Sequence, residues 1–523
     1  MWKTFSADRV GNLEIATKLW SDFAATIPLI RSFSLGTNFP PQYPIFAGPP
    51  IRYHFLFFLV VGLLEKAGIP LTWALNTLSA LSFTFLTILI YLFAKTIFRK
   101  RSVGLLSCIL FLFNGSLSFV EFFKKHPLTL NTPFDIATNI NFPSFGPYDE
   151  KIVSAFWNLN IFTNQRHLAF AYASFLLLIL LFYRFSQKPG KLTWTVSFLI
   201  GVGVGAFPFI HMAVFGMMAI ALVVLFLIYP KIRWKIFATG AVAVVLALPQ
   251  VLYMGRSSVQ TPFFSPGYLT ASQTLFSFVK YWFFNLGVTL PLVPIGFILA
   301  KREQRKIFIP FLALFIVGSL FRFSPEIAAN HKFFNLFAIG ANMFVAFFLV
   351  SLWQRKLFSK LVVLFLFPFL ILSGIIDFFP IVNDSSMKVV DVPANNTAFF
   401  IQKNTPKDAV FLNASFLYDP ASLAGRKIYL GWPYFAWSAG YDTQTRHKTM
   451  QTLFSPTDKR SSCESLKKEK IDFVEIQIPS YLEGVSVDFS FFQNNFVRIY
   501  YDRVGNFYIY DVKLSCQNII SYE

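Results

Sequence analysis

Ten long apolar stretches lie between residues 73 and 380, and every second connector between them is packed with lysine and arginine. The basic connectors are 95–102, 184–193, 230–235, 300–306 and 354–360, and together they hold 17 cationic residues against one acid, Glu303. Cationic loops stay on the cytoplasmic side of a membrane. The intervening segments then face outward: the loop 121–166, the turn at Pro208–His211, the loops 254–274 and 322–332, and everything after residue 380. This alternation limits which polar residues can ever meet.

The composition agrees. Hydrophobic residues make up 55% of the chain, charged residues 14%, and the mean hydropathy is +0.54. Those values describe a polytopic membrane protein rather than a soluble domain. The net charge of +20 would suit a nucleic-acid binder if it formed a patch. Instead, residues 381–523 carry 15 basic and 15 acidic side chains, and the excess sits in the inner connectors. The charge reports topology, and no nucleic-acid partner is expected.

The expected spans are 73–94, 103–120, 167–183, 194–209, 211–229, 236–253, 275–299, 307–321, 333–353 and 361–380. An eleventh stretch, 54–64, has only 11 residues, too few to cross a core of about 30 Å at about 1.5 Å per residue. Crossing there would also move Lys95, Arg99, Lys100 and Arg101 outside. It is therefore expected as a helix over 54–66 lying at the outer interface. The predicted architecture is an all-α membrane domain of about 10 visible transmembrane helices over 73–380, preceded by an outer loop over 1–72. A C-terminal extracytoplasmic α/β domain follows over 381–523. Residues 1–21 contain neither a span nor an export signal, so a first helix is expected to precede this segment.

Several motifs carry a resemblance. Ser21-Asp22-Phe23, Arg31-Ser-Phe-Ser-Leu-Gly, Asn38-Phe39-Pro40-Pro41 and Gly48-Pro49-Pro50-Ile51-Arg52-Tyr53-His54 are similar to the first outer loop of the GT-C glycosyltransferases. That superfamily includes protein O-mannosyltransferases, aminoarabinose transferases and oligosaccharyltransferases. Asn164-Gln165-Arg166 and Asn330-His331-Lys332, each entering a span, resemble landmarks of prokaryotic members, as does Trp437-Ser-Ala-Gly-Tyr441-Asp442 in the tail. The resemblance implies transfer of a sugar from a polyprenyl-phosphate lipid to a glycan, lipid or protein acceptor at the outer face of the plasma (inner) membrane. No cofactor is assigned. A divalent metal is left open with little support, because Phe23, Ala24 and Ala25 follow Asp22 where many relatives carry a second acid or a histidine.

Such a transfer needs a carboxylate to take the acceptor's proton, cations to receive the leaving phosphate, and a groove for lipid. Asp22 is the only acid between Glu14 and Glu65 and precedes a helical pattern, which suits either a general base or a helix N-cap. For a second carboxylate the loop offers Glu121, at the end of an expected span, with Asp135, Asp149 and Glu150. Lys332 and Arg166 each open an inward-running span, where a cation opposes the helix dipole unless an anion is present. His331 and Arg52 join them as phosphate candidates, and His54, Gln165, His211 and Asn330 as substrate-binding candidates.

In the tail, strand-like runs at 409–412, 427–430, 471–478, 496–501 and 506–512 alternate with helical patterns near 394–404, 444–454 and 460–470. Cys463 and Cys516 are available to pair there, where oxidation is permitted. Two other functions compete with a glycosyltransferase: a transporter or flippase of lipid-linked glycans, and an inactive GT-C-like scaffold. Against transport, Glu121, Lys280 and Asp377 all lie toward outer span ends, and no inverted repeat is visible.

Overall fold

A computed structural model of the 523-residue chain describes residues 1–144 and 152–520. Asp149 and Glu150, offered above as loop acids, lie outside the described residues. The chain divides into two compact units.

The first unit comprises Met1, Leu78–Gln250 and Thr261–Ser385, and it is helical. Six helices are long and apolar enough to cross a membrane: Leu71–Phe98, Leu168–Gln187, Phe207–Ile228, Arg233–Met254, Ile327–Trp353 and Leu357–Val382. The pair Leu275–Leu286 and Thr289–Leu299, bent by 89°, makes seven if counted as one span. This is a multi-pass membrane protein. Helix covers all ten expected stretches, yet Arg101–Leu112 and Trp194–Gly205 are shorter than the roughly 20 residues a crossing needs.

The stretch expected as one helix over 103–120 breaks after Leu112 and resumes as the separate helix Ser118–Lys125. The break has a packing cause. Residues 113–116 press backbone to backbone on the Leu357–Val382 helix, and a Cβ at Gly374 would fall 2.3 Å from the Phe113 carbonyl carbon. Ser373 Oγ donates to the Ser116 carbonyl at 2.6 Å and accepts from Phe119 N–H at 3.1 Å, which satisfies the polar backbone freed there. Glu121 consequently lies on a short amphipathic helix rather than at a span end.

The second unit comprises Trp2–Thr77, Val251–Gln260 and Ser386–Glu523. Strand Leu13–Ala16 pairs antiparallel with Phe5–Ala7 on one side and with Ser386–Val389 on the other, so the sheet joins segments on either side of the long helices. The 15-residue helix Trp20–Ser34 follows, buried from Phe23 to Ser34 apart from Thr26. Its packing partners include the helix Leu56–Lys66, the segment expected over 54–66. The tail strands Lys427–Ile428, Val410–Leu412, Phe473–Gln477, Phe507–Asp511 and Val497–Asp502 form, in that order, a five-stranded sheet. The first three run parallel and the last two antiparallel. Cys463 and Cys516 are joined in a disulfide.

One buried cation organises this unit. Arg31 is 5% exposed; its Nε meets Glu65 Oε1 at 2.8 Å, and its second terminal nitrogen meets Asp391 Oδ2 at 2.6 Å. A further N–H donates to the Leu423 carbonyl at 3.2 Å, and Ser34 Oγ donates to Glu65. The two carboxylates and the carbonyl lie in segments far apart in sequence, so one guanidinium holds three of them against the helix Trp20–Ser34. Nearby, Gly36 approaches Gly425 so closely that a Cβ would sit 2.1 Å from the Gly425 oxygen.

Arg31→Ala should therefore lower stability by about 3–5 kcal/mol, because Glu65 and Asp391 would stay buried without their cation. Thermal unfolding of the detergent-solubilised protein reads this; a loss under about 1 kcal/mol would show that the network contributes little.

A second test concerns Glu475 in the central tail strand, fully buried beside Asp419. Burial, and next the Asp419 carboxylate, push Glu475 well above the usual carboxylate range. A carboxyl raised in the folded state favours the fold while protonated and withdraws that contribution as pH rises past its unfolded value. Amide protection of strand Phe473–Gln477 should therefore fall as pH rises from about 5 to about 8. Glu475→Gln, which stays neutral, should flatten that dependence and raise protection at the alkaline end.

Candidate functional site

In the helical unit, two helix starts are brought together by their own polar side chains. The segment before the Leu168–Gln187 helix is fixed from below by Asn285, whose Oδ1 accepts from Val153 N–H at 2.9 Å and from Trp157 Nε1 at 2.7 Å. A short helix, Asn160–Asn164, then delivers Gln165, Arg166 and His167. On the other side Asn330, 2% exposed, donates to the carbonyls of Gly318 at 2.9 Å and Phe321 at 2.6 Å, and sets where the helix His331–Trp353 begins. Asn335, one turn on, joins the two segments: its Nδ2 donates to the Phe156 carbonyl at 2.7 Å, and its Oδ1 lies 2.8 Å from His331 Nδ1.

The side chains that result are largely basic or imidazole. His331 stacks on Phe156 with ring centres 4.5 Å apart, and its Nε2 lies 3.3 Å from Gln165 Nε2. His167 and His211 face each other at 5.0 Å between ring centres. The Lys332 ammonium is near enough to act electrostatically on His167, His211 and His331, and the Lys332 carbonyl accepts from Tyr172 Oη at 3.0 Å. Arg166 is 1% exposed, and burial lowers it to about 9. Its Nε donates to the Thr163 carbonyl at 2.6 Å, and its terminal nitrogens reach the Met1 sulfur and carbonyl. Two cations and two imidazoles at two helix N-termini, with the His211 ring against His167, form an anion-receiving arrangement.

His211 is not in an outer turn. It sits inside the apolar helix Phe207–Ile228, at the residue where the backbone leaves helical geometry (φ −167°, ψ 96°), and it is fully buried. The break turns its imidazole toward His167 and explains why a histidine is held among apolar side chains.

In the second unit, Asp22 occupies the first turn of the helix Trp20–Ser34. The N-cap position belongs to Leu19, so Asp22 does not cap the helix, although its charge still complements the dipole there. Its neighbours are phenols. Burial, and then the Asp22 carboxylate, raise Tyr53 and Tyr418 above the usual phenol range, and Asp22 contributes in the same direction to Tyr43. The Tyr418 ring packs on Trp20 at 4.3 Å and its hydroxyl donates to the Trp20 carbonyl. A half-exposed carboxylate among protonated phenols can accept a proton from a hydroxyl that those phenols help to orient. His54, 9% exposed, stacks on Tyr53 at 3.9 Å.

The remaining expected residues are held elsewhere. Arg52 donates to the Gly440 carbonyl at 2.6 Å and Ser258 Oγ at 2.9 Å and lies over the Tyr441 ring. Glu121 forms an ion pair with Lys124 at 2.7 Å. Sequence reasoning missed His167, Asn335 and the tyrosines. His167 had a signal, because it directly follows Gln165-Arg166; Tyr418 had none, being brought to Asp22 by tertiary folding alone. As for a metal, His167 and His211 carry ring nitrogens within 4.8 Å of each other, two of the four donors a zinc-type site uses.

No known family matches the chain, and no curated protein matches it in sequence. Solved structures similar to it include the archaeal oligosaccharyltransferase AglB from Archaeoglobus fulgidus, in complex with an inhibitory peptide and a dolichol-phosphate. That match has 12% identity and a TM-score of 0.44, and covers 94% of this chain and 70% of that one. The same enzyme in its apo form matches at 11% identity and a TM-score of 0.42, covering 94% and 71%. ArnT from Cupriavidus metallidurans bound to undecaprenyl phosphate matches at 10% identity and a TM-score of 0.47, covering 94% and 93%.

Proposed function

We propose that the chain is a GT-C-type membrane glycosyltransferase. In this reading it moves a sugar from a polyprenyl-phosphate-linked donor to a glycan, lipid or protein acceptor at the outer face of the plasma membrane. The observation that carries it is the gathering of Lys332, Arg166, His167 and His331 where two helices begin, with His211 facing His167. Such a group suits a phosphate entering from the membrane edge. Residues 73–380 form the membrane domain, and residues 1–72 and 381–523 lie outside.

The Asp22 carboxylate takes the proton from the acceptor as the acceptor atom bonds to the anomeric carbon of the sugar. The bond from that carbon to the phosphate oxygen breaks, and polyprenyl phosphate leaves with the electron pair. Lys332 and Arg166 receive the charge, with His331 oriented by Asn335 and Gln165. Glu121 remains the reserve carboxylate, and His54, His211 and Asn330 line or position the substrates. A transporter of lipid-linked glycans is the second reading, favoured by the 89° bend between Leu275–Leu286 and Thr289–Leu299 and by the break at His211.

Substitution separates the two. Asp22→Asn keeps size and hydrogen bonding but removes basicity, so sugar transfer should fall roughly 10²–10⁴-fold with unfolding temperature and donor binding near parental. Lys332→Ala should instead weaken donor binding while the fold is retained. Parental transfer by Asp22→Asn would move the base to Glu121, and undiminished lipid movement without transfer would favour the transporter.

Orientation is read by labelling whole cells with an impermeant thiol reagent. A cysteine at exposed Lys66 should react from outside, and one at Lys100 should not. Labelling of Lys100→Cys would invert the topology and exclude an outer-face site.

A further inference from the structure

The second unit holds a cavity of about 240 Å³ that the proposed chemistry does not use. It is lined by Arg52, Arg446, Tyr429, Tyr441, Thr449 and Glu469, with Ser258 and Thr445 at its polar edge. Arg446 is its unusual feature. The guanidinium lies over the Phe46 ring at 4.2 Å and over the Tyr429 ring at 4.3 Å. Among the described residues it forms no ion pair and no side-chain hydrogen bond, so its N–H edge is unspent. Arg52 is held comparably, over Tyr441 at 4.8 Å, with one nitrogen committed to Gly440 and Ser258. Flat guanidiniums backed by aromatic rings keep their orientation and present a fork that matches a carboxylate.

The acids on the lining narrow the choice. Both Asp442 oxygens are occupied by Thr445, through its N–H at 3.1 Å and its hydroxyl at 2.7 Å. Glu469 accepts from Tyr429 Oη at 2.9 Å. With two arginines set against two carboxylates, the lining carries no large positive excess, which disfavours a doubly charged phosphate. It favours one negative charge surrounded by hydroxyls, for which Thr445, Thr449, Ser258 and Glu469 offer donors and acceptors. The volume is below the roughly 300–1,000 Å³ of drug-sized pockets, which suits a single sugar ring.

We infer that this pocket binds the carboxylate-bearing sugar of an acidic glycan, with Arg446 gripping the carboxylate. The inference goes beyond the transferase reading and stands without it, since binding is measured with no donor present. The test titrates the full-length detergent-solubilised protein with glucuronate, glucose and inorganic phosphate, followed by saturation-transfer NMR. Glucuronate should bind at least tenfold more tightly than glucose, and phosphate at equal concentration should not displace it. Arg446→Gln should weaken glucuronate roughly ten- to hundredfold and bring it level with glucose. Thr449→Phe, which fills the cavity and leaves Arg446 on its rings, should weaken both sugars and answers the question even if Arg446→Gln fails to fold. Equal binding of glucuronate and glucose, displacement by phosphate, or parental affinity in Thr449→Phe would each overturn the inference.

Discussion

Arg31 and the two carboxylates it neutralises set the terms for the second unit. A guanidinium taken out of water loses several kcal/mol of hydration, and only well-placed partners repay it. Glu65 and Asp391 do so from segments far apart in sequence, at 2.8 and 2.6 Å. The helix they fix, Trp20–Ser34, carries Asp22 in its first turn, nine residues before Arg31. Any catalytic use of Asp22 therefore depends on an ion network that touches no substrate. The same helix is buried over nearly all its surface, so its direction leaves little freedom to the carboxylate.

The helical unit achieves positioning by different means. Around Lys332 the backbone is positioned by amides. Asn330 joins two backbone carbonyls, Asn285 accepts from Val153 N–H and the Trp157 ring, and Asn335 links the Phe156 carbonyl to His331, so that amides fix where two helices start. Amides suit this task at a membrane edge because they satisfy a donor and an acceptor together without a charge to desolvate.

Much of this was legible beforehand, and the limits have physical causes. The tail strands and helices fall where periodicity put them, because each buries one face against a local sheet. The helix at 56–66 was likewise readable from its length. The broken stretch at 113–117 was not, since the break depends on Gly374, which lies on another helix and admits the backbone of Phe113. His211 was misread as a turn because Pro208 is as common in the first turn of a helix as in a loop. Arg52, matched to an outer-loop motif, is engaged with Gly440 and Ser258, and no local pattern reports such pairings. The gathering of Asp22 with Tyr418 was invisible for the same reason.

The antiparallel pairing of Leu13–Ala16 with Ser386–Val389 has a consequence for biosynthesis. A ribosome adding roughly 5–20 residues per second completes Leu13–Ala16 tens of seconds before Ser386–Val389 exists. During that interval every membrane-crossing helix must be threaded, while the Trp20–Ser34 helix waits with Arg31 still lacking Asp391. The sheet closes only after the last crossing has been made. A chain with one helix misthreaded would deliver residue 386 to the opposite side of the membrane and leave one edge of Leu13–Ala16 unpaired.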